Sequence, residues 1–110
     1  MSHVTTHVLD AAFGAPAVGV AVAFDQQTPD GWREIGEGAT DDDGRIRELG
    51  PATLPEGVYR LTFNTGDYFE ETQRDAFYPE ICIVFRIQGP EHYHVPVLLS
   101  PFSYSTYRGS

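Results

Sequence analysis

Histidine side chains are concentrated in two short segments of this sequence. His3 and His7 lie near the start of the chain, and His92 and His94 lie in a later segment that is otherwise mostly apolar. If both segments are strands, alternation of side chains places His7 and the His92/His94 pair on faces that avoid the hydrophobic core. The imidazole pKa lies near neutrality, so histidines on such faces are candidates for general acid–base catalysis. A solvated polar face is the alternative for any one of them.

A zinc site is a second interpretation of the same histidines. Two histidines separated by one residue on a strand can supply two ligands, and His7 can supply a third. No carboxylate occupies the alternating positions beside them, so we predict no metal site. The single Cys82 excludes an intrachain disulfide and a cysteine-rich zinc site. Its position between isoleucines predicts a buried structural thiol.

An arginine is placed for ligand binding next to a predicted turn. Arg45 follows the turn residues 41–44 and begins a strand. A guanidinium in that position can bind the carbonyl–amide edge of a heterocycle through two hydrogen bonds. An ion pair with one of the three preceding aspartates is the alternative, and the local sequence favours it.

The C-terminal segment is polar and aromatic up to its last residue. Free tails usually lack aromatic side chains, whereas this one carries Tyr104 and Tyr107 and ends at Ser110. We therefore expect a paired strand whose end is docked. Tyr107 and Ser110 are then placed either to bind a ligand or to cover an interface.

The composition excludes several classes of function. All seven basic residues are arginines, so Schiff-base chemistry through a lysine is impossible. The net charge of −9 argues against nucleic acid and anionic membrane surfaces as partners. We find no leader segment and no apolar run of roughly 18 residues, and therefore expect a cytoplasmic protein.

The elements that position these residues are strands. Side chains alternate with a period of two along residues 18–24, 58–63, 81–87 and 92–99, and turn residues separate these runs. The pattern predicts an all-β, antiparallel β-sandwich of about eight strands. One short helix is predicted at 66–74. We expect a single domain over residues 1–110, with oligomerisation contributing to stability.

Seven segments along the chain carry recognisable motifs: Thr6-His7-Val8-Leu9-Asp10, Gly14-x-Pro16-Ala17, Thr40-x-x-Asp43-Gly44-Arg45, Thr65-Gly66-x-Tyr68-Phe69, Phe77-Tyr78-Pro79-Glu80, His92-Tyr93-His94-Val95-Pro96-x-Leu98-Leu99-Ser100-Pro101 and Tyr104-Ser105-Thr106-Tyr107-Arg108-Gly109-Ser110. In this order they resemble the transthyretin-like 5-hydroxyisourate hydrolases. The closing Tyr-Arg-Gly-Ser is similar to the signature that separates these hydrolases from transthyretin, the hormone carrier of the same fold.

The resemblance implies a transthyretin-like fold and a reaction. The implied substrate is a small molecule, 5-hydroxyisourate, which is hydrolysed to 2-oxo-4-hydroxy-4-carboxy-5-ureidoimidazoline in urate degradation without a metal or organic cofactor. The implied catalytic residues are His7, Arg45 and His94, and the implied substrate-binding residues are His7, Arg45, His92, Tyr107 and Ser110.

The resemblance also implies a homotetramer with a central channel and active sites at its dimer–dimer interface. Three alternatives stay open: a transthyretin-like carrier of small ligands without catalysis, a zinc hydrolase using His7, His92 and His94, and a purely structural sandwich domain.

Overall fold

The computed structural model describes residues 2–110, and Met1, the first residue of the predicted domain, lies outside the described residues. Over this range the chain forms nine strands and one short helix. These are β1 (Val4–Asp10), β2 (Ala15–Pro16), β3 (Ala21–Thr28), β4 (Gly31–Ala39), β5 (Arg45–Leu49), β6 (Gly57–Phe63), α1 (Thr65–Glu71), β7 (Ile81–Ile87), β8 (Tyr93–Ser100) and β9 (Ser103–Thr106).

The strands form two sheets that pack face to face. The first sheet has the order β2-β1-β8-β9, with β5 paired to β1, and the second has the order β4-β3-β6-β7. The predicted all-β sandwich with one short helix is therefore confirmed. One feature was not predicted: β1 and β8 are parallel neighbours, whereas every other pair of neighbouring strands is antiparallel. The helix of the described residues is too short to cross a membrane.

Alternating side chains from both sheets form the core. In β8 the predicted inward face is buried, and in β6 the inward residues Tyr59, Leu61 and Phe63 have no exposed surface. Burying an apolar side chain of this size contributes about 1.5–3 kcal/mol relative to leaving it in water. The opposite face of β1 and β8 carries His7 and His94.

Two sequence predictions about burial are wrong. The strand predicted at 18–24 begins only at Ala21, because Gly19 has a φ of +80° and breaks the extended backbone, and Val18 is 46% exposed. Cys82, predicted to be buried, is exposed. It lies on the outer face of β7, whereas on the opposite face of the same strand Ile81 is buried and Ile83 is half-buried.

A buried ion pair holds the segment after α1 against the first sheet. The carboxylate of Asp10, which is 1% exposed, accepts hydrogen bonds from Arg74 at 2.6 Å and from the Tyr68 hydroxyl at 2.8 Å. Burial by itself raises the pKa of Asp10, but the bonds from Arg74, Tyr68 and the backbone N–H of Phe13 outweigh it and hold the pKa below its ordinary value. Burial and the bonded Asp10 raise the pKa of Tyr68 to about 12.

Replacing Asp10 with asparagine removes the charge that compensates Arg74. We expect Asp10→Asn to lower the free energy of unfolding by about 3 kcal/mol at pH 7, as for other broken buried pairs. Because the folded pKa is depressed, the stabilisation by Asp10 is present above 3.8 and is lost as the pH falls through the folded value. Urea unfolding at several pH values should show the wild-type and variant stabilities converging at low pH. Asp30→Asn, in an exposed turn, is the control, and an equal loss there would contradict the assignment.

Candidate active site

Strand β1 brings the candidate catalytic residues together because it lies between β5 and β8. In the antiparallel pair with β5, His7 is opposite Arg45, and in the parallel pair with β8, Thr5 is opposite His94 and His7 is opposite Pro96. Cross-strand neighbours share a face of the sheet. The His7, Arg45 and His94 side chains therefore lie side by side on the outer face of the first sheet.

These side chains line an open cavity of about 240 Å³. Five of the six predicted site residues belong to its lining, namely His7, Arg45, His94, Tyr107 and Ser110. The sixth, His92, does not line the cavity; its Nε2 lies 2.8 Å from Thr5 Oγ1, and its ring centroid lies 6.2 Å from that of His94. The remaining lining is mostly apolar and includes Leu9, Pro96 and Leu98.

The turn before β5 holds the backbone at Arg45, the first residue of that strand. The Asp41 carboxylate accepts the backbone N–H of Arg45 at 3.0 Å and that of Asp43 at 2.9 Å, and these bonds lower the pKa of Asp41. Gly44 has a φ of +75° and lies against the Val8 carbonyl, where a Cβ atom has no room. Only glycine fits both requirements.

The ion pairs expected for Arg45 are made by its neighbour. Arg47 contacts Asp41 at 3.1 Å and Asp43 at 3.8 Å. Among residues 2–110, Arg45 itself makes no ion pair. Its guanidinium lines the cavity instead, so its donors are available to a ligand.

One ring nitrogen of His7 is held by the backbone. Nε2 lies 2.9 Å from the carbonyl oxygen of Asp43. A carbonyl oxygen can only accept a hydrogen bond, so Nε2 carries the proton and Nδ1 is the nitrogen left for a ligand. The same turn thus positions both Arg45 and His7.

His94 is bound to a buried threonine. Its Nδ1 lies 2.8 Å from Thr5 Oγ1, and Nε2 of His92 lies 2.8 Å from the same oxygen. Burial lowers the pKa of His94, and the nearby Arg45, His92 and His7 lower it further, while hydrogen bonding to the Thr5 backbone acts in the opposite direction. His94 is consequently neutral at pH 7, as a general base must be.

The fourth histidine is structural. His3 is 4% exposed, its Nδ1 accepts the backbone N–H of Leu54 at 2.9 Å, and its Nε2 lies 3.0 Å from the carbonyl oxygen of Glu91. Both nitrogens are occupied by backbone groups, so His3 cross-links loops and offers nothing to the cavity.

The C-terminal segment closes one side of the cavity. Strand β9 pairs with β8, as predicted for the tail, and the N–H of Gly109 then donates to the His94 carbonyl at 2.8 Å. A Cβ atom on Gly109 would lie 2.7 Å from Cδ2 of His94, so the backbone can approach this ring only at a glycine. Arg108 lies over the Tyr93 ring at 4.3 Å and 3.5 Å from the Glu91 carboxylate. These contacts place Ser110 at the cavity.

The zinc interpretation requires His7, His92 and His94 to form one ligand cluster. Within residues 2–110 no group of three or more histidine, cysteine, aspartate or glutamate side chains is arranged to hold a metal ion. The oxygen of Thr5 lies between His92 and His94 in this structure.

Sequence analysis missed Thr5 as a member of this arrangement. Its position two residues before His7, on the same face of β1, was the available signal. Its contacts could not be foreseen, because they depend on the parallel pairing of β1 with β8.

Comparison with known proteins gives consistent results. The model of the HIUase/Transthyretin family matches residues 4–109. A 5-hydroxyisourate hydrolase of Salmonella dublin is 50% identical over 109 residues, which are 96% of this chain and 79% of that protein. The structure of Klebsiella pneumoniae 5-hydroxyisourate hydrolase superposes with a TM-score of 0.88 at 37% identity, covering 100% of this chain and 94% of the other. Transthyretin from Sparus aurata gives a TM-score of 0.93 at 37% identity, covering 99% and 97%.

Enlarging Gly109 should detach the tail from the cavity. In Gly109→Ala the new methyl group collides with the His94 ring, so we expect the hydrogen bond from the residue 109 N–H to the His94 carbonyl to weaken. Amide hydrogen exchange at residue 109 should accelerate about tenfold, which corresponds to about 1.4 kcal/mol. Ser105→Ala, on the exposed part of β9, is the control and should exchange as the wild type does. Unchanged exchange in Gly109→Ala would show that the tail is not held by this contact.

Proposed function

The chain belongs to the HIUase/Transthyretin family, and we propose that it is a hydrolase that opens the six-membered ring of 5-hydroxyisourate in urate degradation. The names of its relatives support this activity, since curated proteins 50% and 42% identical to it are 5-hydroxyisourate hydrolases. The observation that carries the proposal is the cavity in which His7, Arg45 and His94 meet with Tyr107 and Ser110. The product is 2-oxo-4-hydroxy-4-carboxy-5-ureidoimidazoline.

His94 is the base that activates water in this proposal. Its Nδ1 is held by Thr5, so Nε2 is the nitrogen that faces a reacting water. The lowered pKa keeps the ring neutral at pH 7. Water loses a proton to Nε2 as its oxygen adds to the ring carbonyl carbon of the substrate.

Arg45 stabilises the negative charge that forms on the carbonyl oxygen. Its guanidinium lines the cavity and makes no ion pair with any residue in 2–110. Two donors in a planar fork can hold the oxyanion without a change of protonation state. The carbon–nitrogen bond then breaks when the intermediate collapses, and the departing nitrogen takes the proton that Nε2 of His94 accepted from water.

The remaining lining groups orient the substrate. His7 is anchored through Nε2 to the Asp43 carbonyl and presents Nδ1, and the side chains of Tyr107 and Ser110 add hydrogen-bonding groups to the lining. Holding the ring against His94 and Arg45 lowers the entropic part of the barrier. The reaction as proposed needs neither a metal nor an organic cofactor.

A carrier function is the competing proposal, because transthyretin has the same fold. The similarity of the backbone does not separate the two functions. The cavity lining favours the hydrolase, since two histidines and an arginine without an ion-pair partner in residues 2–110 suit proton transfer and an oxyanion better than an apolar ligand.

A homotetramer with active sites at the dimer–dimer interface is part of the same proposal. The face of the first sheet that carries the cavity also exposes Leu98 and Tyr107, which are 38% and 60% accessible. An apolar rim around an open polar cavity suits a contact with another copy of the chain. The cytoplasmic location predicted from the sequence stays a prediction.

An ultraviolet time course tests the activity directly. Urate oxidase generates 5-hydroxyisourate in the cuvette, and this protein should accelerate its decay in the presence of a chelator. His94→Asn and Arg45→Gln should each lower kcat by about 10²–10³-fold, because they remove the base and the oxyanion donor. Arg47→Gln, the neighbouring arginine that is paired with aspartates, is the matched control and should stay near wild type. A folded wild-type protein that does not accelerate the decay would refute the proposed function.

The pH dependence should report on His94. The base must be neutral, so kcat/KM should fall as the pH drops through the pKa of His94, and the midpoint should lie below the ordinary value of 6.5.

Removing the positive charge of Arg45 favours protonation of the His94 ring. In an NMR titration, Arg45→Gln should therefore raise the pKa of His94 above that of the wild type, and a decrease would contradict the electrostatic argument.

A further inference from the structure

Thr5 has a single hydroxyl between two histidine rings. Its oxygen lies 2.8 Å from Nδ1 of His94 and 2.8 Å from Nε2 of His92. The residue is 4% exposed, and no other partner of this oxygen is found within residues 2–110. The ring centroids of His92 and His94 are 6.2 Å apart, so the hydroxyl is the link between them.

Counting hydrogens limits this arrangement to two states. A hydroxyl group has one proton to donate and lone pairs to accept. If Thr5 donates to His94 Nδ1, then His92 Nε2 must donate to Thr5. If Thr5 donates to His92 Nε2, then His94 Nδ1 must donate to Thr5. A state in which both rings donate would leave the buried hydroxyl proton without an acceptor, which is costly.

The two states give His94 opposite chemical properties at the cavity. When Nδ1 of neutral His94 carries the proton, Nε2 is bare and can act as a base. When Nδ1 is bare, Nε2 carries the proton and can act as an acid. The hydroxyl of Thr5 thus connects the tautomer of His94 to that of His92.

We propose that Thr5 is a positioning residue that relays a proton between His94 and His92, so that His94 acts first as the base and then as the acid of the ring opening. This inference rests on the proposed function. His92 is exposed at the outer end of the relay and exchanges its proton with solvent.

The protons of the first step balance over His94, Thr5, His92 and the solvent. Nε2 of His94 takes a proton from water while hydroxide adds to the substrate carbonyl. Nδ1 of His94 gives its proton to Thr5, and Thr5 gives its own proton to Nε2 of His92. His92 releases a proton from Nδ1 to solvent, and His94 is left with its proton on Nε2.

The second step runs the relay in reverse. His94 gives the Nε2 proton to the departing ring nitrogen, regains a proton on Nδ1 from Thr5, and Thr5 regains one from His92. His92 takes a proton from solvent. No proton is gained or lost over the cycle, and His7 and Arg45 are left to bind the substrate and the oxyanion.

Three charged or titratable groups surround His94 and affect the relay. His7 reaches it from β1, Arg45 from β5 and His92 from its own strand. The C-terminal residue Ser110 lines the same cavity. These four residues are unchanged in the variants of Thr5, so a difference in activity among these variants reports on the Thr5 hydroxyl.

Imidazole ¹⁵N NMR of the intact protein tests the relay without any turnover. At a pH where both rings are neutral, the relay requires that the proton be either on Nδ1 of His94 or on Nε2 of His92, and not on both. Wild-type spectra in which both nitrogens are protonated, or both are bare, would overturn the proposal. In Thr5→Val the two rings should choose their tautomers independently.

Kinetics of three threonine variants provide the second test. Thr5→Val keeps the shape and the β-branched strand residue but removes the hydroxyl, and should lower kcat about 10- to 100-fold with little change in KM. Thr5→Ser keeps the hydroxyl and should stay within about threefold of wild type. The matched control is Thr6→Val, which removes a hydroxyl bound to the Val95 carbonyl on the core face of the same strand. It should lower stability without changing the pH profile.

The outer end of the relay is tested by chemical rescue. His92→Ala should lower kcat in dilute buffer, and added imidazole should restore much of the loss by exchanging protons with Thr5. If His92 had a purely structural role, imidazole would not restore kcat. Absence of rescue, or an unchanged kcat in Thr5→Val, would therefore overturn the relay.

The relay and the hydrolase function can fail separately. If the wild type is inactive but the tautomers of His92 and His94 are linked, the hydrolase function is refuted and the NMR result still establishes the hydrogen-bonded link through Thr5. If Thr5→Val does not fold, Thr5→Ser and the wild-type spectra decide.

Discussion

The backbone ladder around β1 is the constraint on which the site depends. This strand bonds to β5 on one side and to β8 on the other, so His7 is fixed opposite Arg45 and Thr5 opposite His94. A slip of one residue would turn each of these side chains to the other face of the sheet. The buried valines at positions 4 and 8, which alternate with the site residues, oppose such a slip because it would expose them.

The same strand couples the stability of the fold to the site. Beyond His7 it ends at Asp10, whose ion pair with Arg74 holds the segment after α1 against the sheet. Val8 lies between His7 and Asp10 on this strand, and its N–H donates to the Gly44 carbonyl. Its carbonyl lies against Gly44 and accepts the N–H of Ala17. The turn that presents Arg45 is thus attached to the strand that presents His7. Their relative position follows from backbone contacts more than from side-chain packing.

Sequence patterns predicted the faces but not the partners. A period of two is enough to place His7 and His94 away from the core, and the aromatic tail is enough to suggest a docked strand. The sequence pattern cannot show that β1 and β8 are parallel, which is why Thr5 was not assigned to the site. Nor can the pattern show whether other elements cover the face of β7 that carries Cys82, and the prediction that this thiol is buried was wrong. Neighbouring sheets and strands decide these features, and they come from distant parts of the chain.

Fold and function are separable in this molecule. Transthyretin superposes on the chain as well as a 5-hydroxyisourate hydrolase does, with TM-scores of 0.93 and 0.88. What the backbone supplies is an outer face with fixed side-chain positions, on which apolar side chains suit a carrier and titratable ones suit a catalyst. Here that face carries a neutral histidine, an arginine without an ion-pair partner in residues 2–110, and a buried hydroxyl that links two rings. A carrier gains nothing from holding a histidine tautomer in place, whereas proton transfer depends on it.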